Sequence, residues 1–219
     1  MCRASIGSAL RSAAVPITAA LFDFGGVILS SPFEAFAHYE TTHGLPDGFI
    51  RGLNATNPDT NAWARFERSE LTFDDFADAF EGEAIAAGHP IDAREVLALL
   101  GGELRPEMVE AVHRCHERLK TALLTNNVVG MDHDERFSEV FAHFDEVIES
   151  SKVGVRKPDV RFYEMACEAL AIDPSEAVFL DDLGVNLKPA KALGMTTIKV
   201  HDADQAITEL EAVVGFPLR

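Results

Sequence analysis

Two apolar patterns alternate along the chain. Short uninterrupted apolar runs at 17–22, 121–124, 147–148, 177–180 and 196–200 each stop at polar residues. The stops are Asp23, then Thr125 with Asn126 and Asn127, then Ser150 and Ser151, then Asp181 and Asp182, then His201 and Asp202. Continuous short runs of this kind are strands buried on both faces, as in a parallel sheet. Between them the spacing is helical. Segment 106–119 sets Met108, Val112, Cys115 and Leu119 on one stripe and opens on Pro106, while 158–170 does the same with Phe162, Met165, Ala166 and Ala169 and opens on Pro158. Segments 187–193 and 204–213 complete the series. The alternation predicts an α/β fold with a doubly wound, Rossmann-like parallel sheet and right-handed crossovers. Such sheets bind ligands beyond the carboxyl ends of their strands, where Asp23, Thr125, Asp181 and Asp182 fall.

Residues 33–105 break this rhythm. They read as helices alone, at 33–43, 47–53, 62–67, 73–87 and 93–100, with turns at Gly44-Leu45-Pro46 and Gly88-His89-Pro90. Both ends of the block join core elements directly. We therefore expect a helical cap inserted at 33–105 over a core made of 1–32 and 106–219.

Composition narrows the function classes. The chain has 219 residues, with 47% hydrophobic and 25% charged, as in an ordinary globular protein. At roughly 150 residues per domain this length is one domain with an insert, and it buries about 70% of its unfolded surface. The 19 basic and 36 acidic residues give a net charge of −17. That excess argues against nucleic acid and against an anionic membrane surface as partners. No apolar run approaches the roughly 18 residues of a membrane span. Residues 1–15 carry two arginines and no acid but no long apolar stretch, so they read as a tail or an early start rather than a targeting peptide. Cys2, Cys115 and Cys167 fit neither a disulfide framework nor a metal spacing; a reducing, cytoplasmic setting is expected, with Cys115 and Cys167 as core residues.

The chemistry sits at the strand ends. Asp23 is followed by Gly25 and Gly26, Thr125 ends the second core strand, Lys157 precedes Pro158, and Asp181-Asp182 ends a later strand. Carboxylates gathered at one edge repel unless a cation joins them, and a hard oxygen-seeking ion such as Mg2+ is the natural choice. With a lysine beside it, such a site suits a phosphoryl group that an aspartate can attack.

Four segments in this order, 20–28 (ALFDFGGVI), 123–127 (LLTNN), 156–159 (RKPD) and 179–190 (FLDDLGVNLKPA), resemble the haloacid dehalogenase-like (HAD) hydrolase superfamily over nearly the whole chain. The last segment is most similar to the phosphatase domain of soluble epoxide hydrolases and the HAD-like domain of acyl-CoA dehydrogenase fusions. With one helix left after it, neither partner domain is expected to follow. The block at 33–105 resembles the superfamily's C1 cap. The resemblance implies a Mg2+-dependent hydrolase of small-molecule phosphate esters. It makes Asp23 the nucleophile and a metal ligand, and Thr125 with the backbone around Asn126 the phosphate-binding element. Lys157 becomes the charge-neutralising residue. Asp182, with Asp181 beside it and the Gly25 carbonyl, completes the metal set, and Asn186 supports it. Segment 63–70 (WARFERSE) resembles the cap stretch that reaches the substrate, with Arg68 as its candidate.

One position departs from the pattern. Most phosphatases of the superfamily carry a second aspartate, a general acid and base, where this chain has Gly25. Losing a positioned general acid costs roughly 10²- to 10⁴-fold in rate, about 3–5 kcal/mol of barrier. Either substrates with good leaving groups are used, or the frame is a degenerate phosphate- or partner-binding protein. Dehalogenation is a minor third reading, set against by the Asp181-Asp182 pair. The cap phenylalanines Phe33, Phe36, Phe66, Phe73, Phe76 and Phe80 read as cap core, with an apolar slot as the alternative. No Gly-x-Ser-x-Gly turn supports serine hydrolysis. His113 and His116 stand three apart on a helix, but with no third ligand in view they read as exposed polar residues. The acidic stretch 132–135 lacks the spacing of a calcium loop. Nothing in the pattern fixes an oligomeric state.

Overall fold

The computed structural model describes residues 15–128 and 135–219. The 1–14 stretch and the acidic residues at 132–134 lie outside them. Five parallel strands, β1 (Ala19–Phe22), β2 (Lys120–Thr125), β3 (Glu146–Glu149), β4 (Ala177–Asp181) and β5 (Thr196–Lys199), form one sheet in the order β3-β2-β1-β4-β5. The chain leaves β1 toward β2 on one side and returns to β4 on the other. This puts the reversal of strand order beside β1 and its following Asp23, the position where such sheets bind ligands.

The two-residue period of the strands builds two cores. Ala20 and Phe22 of β1, Leu123 of β2 and Val178 and Leu180 of β4 face helices α6 (Pro106–His116) and α11 (Ala203–Val214). Ala19, Leu21, Ala122, Leu124, Ala177 and Phe179 face α9 (Val160–Leu170) and α10 (Gly184–Ala192). Buried Cys115 and Cys167 sit one in each layer. Burial pushes the thiol of Cys115 up to about 12 and that of Cys167 to about 11, as expected of packing residues.

Between β1 and β2 run α1 (Pro32–His43), α2 (Phe49–Ala55), α3 (Ala62–Glu67), α4 (Phe73–Ala86) and α5 (Ala93–Ala98), packed around a third core of their own. Trp63, Phe66, Phe76 and Phe80 form its aromatic centre, with Phe66 and Phe76 stacked at 4.3 Å. The two chain crossings into this block lie side by side. Ser30 N donates to Glu103 O and Arg105 N to Ile28 O, both at 2.8 Å.

Helix boundaries differ from the sequence reading where side chains override propensity. Helix α2 starts two residues late because Gly48 adopts φ +73 and the buried Glu40 carboxylate accepts from Gly48 N and Ile50 N. Helix α5 stops at Ala98 and tightens into a 3₁₀ turn over Leu99–Gly101. Helix α9 begins after Pro158, at an Asp159 cap that accepts from Arg161 N at 2.9 Å. Helix α10 begins three residues early, at Gly184, with Pro189 inside it. Among the described residues no helix is long and apolar enough to cross a membrane.

Candidate active site

Asp23, Thr125 and Asp181 come together because β1, β2 and β4 are neighbours that all end at one sheet edge. After Asp23 the chain turns abruptly through 24–28. Gly26 takes φ +77, and a Cβ there would stand 2.4 Å from Asp182 Oδ2, so only glycine admits the Asp182 carboxylate against this backbone. Gly25 is different. Its φ of −67 and ψ of 130 suit any residue, and a Cβ would meet nothing within 4 Å. Arg105 Nη1 donates to Gly26 O at 2.8 Å and braces the turn.

Lys157 is 1% exposed, and its ammonium lies 2.7 Å from Asp23 Oδ1 and 2.9 Å from Asp181 Oδ2. Burial alone would lower its pKa. The carboxylates of Asp181 and Asp23 outweigh that and hold it above the ordinary lysine value. Asp23 also accepts from Phe24 N at 2.7 Å, again through Oδ1. Burial raises Asp23 well above the usual carboxylate range, against the pull of Lys157. Asp182 is pushed up to about 6 by burial and then by the charge of Asp181. Carboxylate oxygens of Asp23, Asp181 and Asp182 lie within 4.8 Å of one another. Three acids that share one lysine, two of them displaced upward, form a donor set that favours a divalent cation.

Around this cluster each remaining residue has a definite job. Asn186 donates to both oxygens of Asp181, at 3.0 and 3.1 Å, and the buried Tyr163 hydroxyl donates to Asn186 O at 2.7 Å. Asp181 Oδ1 further accepts from Leu183 N, which fixes the start of α10. The Asn126 side chain clamps the Lys157 backbone, accepting from Lys157 N at 2.8 Å and donating to Lys157 O at 2.9 Å. It therefore positions the lysine, and Asn126 and Thr125 both line the cleft.

A cavity of about 580 Å³ opens over the acids, walled by the core on one side and the helical block on the other. Its apolar lining includes Phe24, Phe33, Phe36, Trp63, Phe137 and Phe141. Phe33 and Phe36 thus line the cleft while packing in the core of the helical block, to which Phe66, Phe73, Phe76 and Phe80 also belong. Arg68 is not brought to this cleft. Its Nε is held at 2.6 Å by Glu70 and its Nη2 at 3.0 Å by Asp59 O. Two other arginines line it instead. Arg51 lies over the Phe33 ring at 4.1 Å, and Arg156 bonds Glu67 and, at 2.9 Å, Pro58 O across the cleft. Arg156 was findable from its place beside Lys157; Arg51 carried no signal in sequence.

A family model described as haloacid dehalogenase-like hydrolase matches residues 17–194. The chain is 37% identical over 209 residues to acyl-CoA dehydrogenase family member 10 of Mus musculus, covering 91% of this chain and 19% of that protein. It is 34% identical over 220 residues to bifunctional epoxide hydrolase 2 of Sus scrofa, covering 92% and 40%. The chain thus spans less than half the length of these relatives. It is 26% identical over 202 residues to the sesquiterpene phosphatase astK of Aspergillus oryzae, covering 90% and 96%. A HAD family enzyme from Bacteroides thetaiotaomicron, solved with magnesium and inorganic phosphate, superposes with a TM-score of 0.60 at 19% identity, covering 89% of this chain and 98% of that one.

Proposed function

The chain belongs to the haloacid dehalogenase-like hydrolase family, and on that premise we propose that it is a Mg2+-dependent phosphate-monoester hydrolase working through an aspartyl-phosphate on Asp23. The observation that carries this reading is the convergence of Asp23, Lys157, Asp181 and Asp182 in a cleft of ligand size. A relative named as a phosphatase and a fold neighbour crystallised with magnesium and phosphate support it. Asp23, the Gly25 carbonyl and Asp182 would hold the ion, with Asp181 behind them. Bound there, a hard divalent ion supplies charge stabilisation to the transferring phosphoryl group.

Both bonds to Asp23 fall on Oδ1, which leaves Oδ2 to attack phosphorus. The P–O bond to the alcohol breaks as the Asp23–phosphorus bond forms, and the alcohol leaves with its electron pair. Thr125 and neighbouring backbone N–H groups hold the phosphoryl oxygens, while Lys157 opposes the burial that favours the neutral form of Asp23. Water then attacks the aspartyl-phosphate at phosphorus, releasing phosphate and free Asp23. No side chain at Gly25 protonates the leaving oxygen, so activated leaving groups or a solvent proton are required.

The helical block at 33–105 serves as the cap and sets the substrate. The aromatic walls favour an apolar alcohol portion, in line with the sesquiterpene named for one relative. Asn54 Oδ1, in the cleft lining, is buried without a partner among the described residues, which favours a hydrogen-bond donor on that portion. A screen of aryl, sugar and isoprenyl monophosphates with and without Mg2+ tests the reading. Turnover that needs Mg2+ and rises with apolar leaving-group size is expected, and no turnover of any monoester would overturn it. Gly25 favours a second reading, a phosphate-binding protein without turnover, which that same null result would support.

A further inference from the structure

A second cluster of ligating side chains lies at the opposite edge of the sheet. His113 and His116 belong to the last turn of α6, and His143 follows the short helix α7 (Ser138–Phe141). Folding brings the third histidine to the other two. His113 Nδ1 stands 3.4 Å from His143 Nδ1, and the ring centres of His116 and His143 are 6.3 Å apart. Two imidazole nitrogens on a tetrahedral zinc, each at about 2.0–2.1 Å, are separated by roughly 3.3–3.4 Å. The His113–His143 pair already has that spacing.

Hydrogen bonding fixes which nitrogen His116 offers. The buried Thr121 hydroxyl has one proton, and its two acceptor partners are His143 O at 2.9 Å and Asp145 Oδ2 at 3.3 Å. Neither of those oxygens can donate, so Thr121 Oγ1 accepts from His116 Nδ1 at 3.1 Å. His116 therefore carries its hydrogen on Nδ1 and leaves the Nε2 lone pair open, with the Nδ1–H anchored as metal-ligating imidazoles are. Burial, reinforced by His113 and His116, holds His143 below the ordinary histidine pKa, which keeps its lone pair available at neutral pH. Nearby Glu110, Glu117 and Glu139 supply negative charge.

We propose that His113, His116 and His143 form a binding site for a divalent transition-metal ion of zinc type, reached when the His113–His143 pair closes toward the open Nε2 of the anchored His116. Imidazole donors select such ions over Mg2+. The site is independent of the catalytic cleft. Thr121 and Thr125 lie at opposite ends of β2, roughly 13 Å apart at the usual strand rise. A metal there ties the end of α6 to the segment entering β3 and acts on stability.

Tag-free, full-length Asp182→Asn protein, with the cleft cluster weakened, is titrated with Zn2+ alone by calorimetry, and its Tm is followed. One zinc per chain and a zinc-dependent rise in Tm are expected. Adding His143→Ala, or His113→Ala at a half-exposed position, weakens zinc binding at least about 100-fold and removes the Tm rise, with far-UV dichroism reporting that each variant is folded. Zinc shifts the ring ¹⁵N signals of all three histidines. Failure of Asp182→Asn to bind stoichiometric zinc, or zinc binding unchanged in folded His143→Ala or His113→Ala, would overturn the proposal.

Discussion

Lys157 Nζ lies 2.7 Å from Asp23 Oδ1, and the two side chains are 1% and 11% exposed. The pair joins the carboxylate proposed as nucleophile to the ammonium that opposes its burial, and each depends on the other. Asp23→Asn is expected to abolish turnover while the protein stays folded, because the amide retains the volume and the Phe24 N–H bond. Lys157→Met leaves Asp23 and Asp181 buried without their cation, at a cost of about 3–5 kcal/mol. Chemical denaturation and steady-state assays of both variants separate the effects: the first loses activity alone, the second loses stability as well.

The two adjacent glycines make opposite predictions. Gly25→Asp enters open space at an ordinary backbone conformation, so it folds normally. It installs an acid where this family's phosphatases have one, and is expected to raise kcat on alkyl phosphates by at least about tenfold, the lower reach of general acid catalysis. Gly26→Ala drives a Cβ into the Asp182 carboxylate at positive φ and is expected to lower both Tm and Mg2+ affinity. Normal behaviour of Gly26→Ala would mean that the turn does not hold Asp182 as described.

Asp182 ties stability to pH. Burial and the charge of Asp181 push its carboxyl up to about 6 in the fold, above the 3.8 of a free aspartate. A raised acid pKa means that the fold prefers the protonated form. Stability from this group is therefore greatest below about pH 4 and is lost as pH rises through about 6. The loss is of order 2 kcal/mol after allowing for solvent screening of a partly exposed group. Metal-free wild type should lose more stability between about pH 4 and 7 than Asp182→Asn does, and Mg2+ should restore it to wild type only. Equal pH profiles for the two metal-free proteins would rule out this source.

Arg156 reaches across the cleft to Glu67, whose other oxygen accepts from Trp63 Nε1 at 3.0 Å, while Ser69 Oγ donates to Ser151 O at 2.7 Å. These bonds tie the helical block to the core across the cleft. Arg156→Met is expected to raise KM by about tenfold with kcat nearly unchanged, since it loosens the cleft wall without touching Asp23. A fall in kcat alone would instead place Arg156 in the chemical step.

The sequence carried the strand order of chemistry because Asp23, Thr125, Lys157 and Asp181-Asp182 each follow a local pattern, an apolar run ending in a polar residue or a proline-marked helix start. The parallel sheet agrees with that reading. What was illegible depends on contacts between distant segments. Arg68 turned away because Glu70 and Asp59 O compete for it locally, whereas Arg51 and Arg156 reach the cleft only once the helical block folds over the sheet. Helix α10 starts at Gly184 rather than at 187 because Asp181 captures Leu183 N. His143 joined His113 through tertiary folding alone.

The proposed chemistry requires a covalent phosphoryl group on Asp23 during turnover. Rapid acid quench during turnover of a ³²P-labelled monoester with Mg2+, followed by peptide mapping, tests it directly. Label is expected on the peptide containing Asp23, lost in Asp23→Asn together with turnover. Turnover that leaves the chain unlabelled, or that survives in Asp23→Asn, would contradict it.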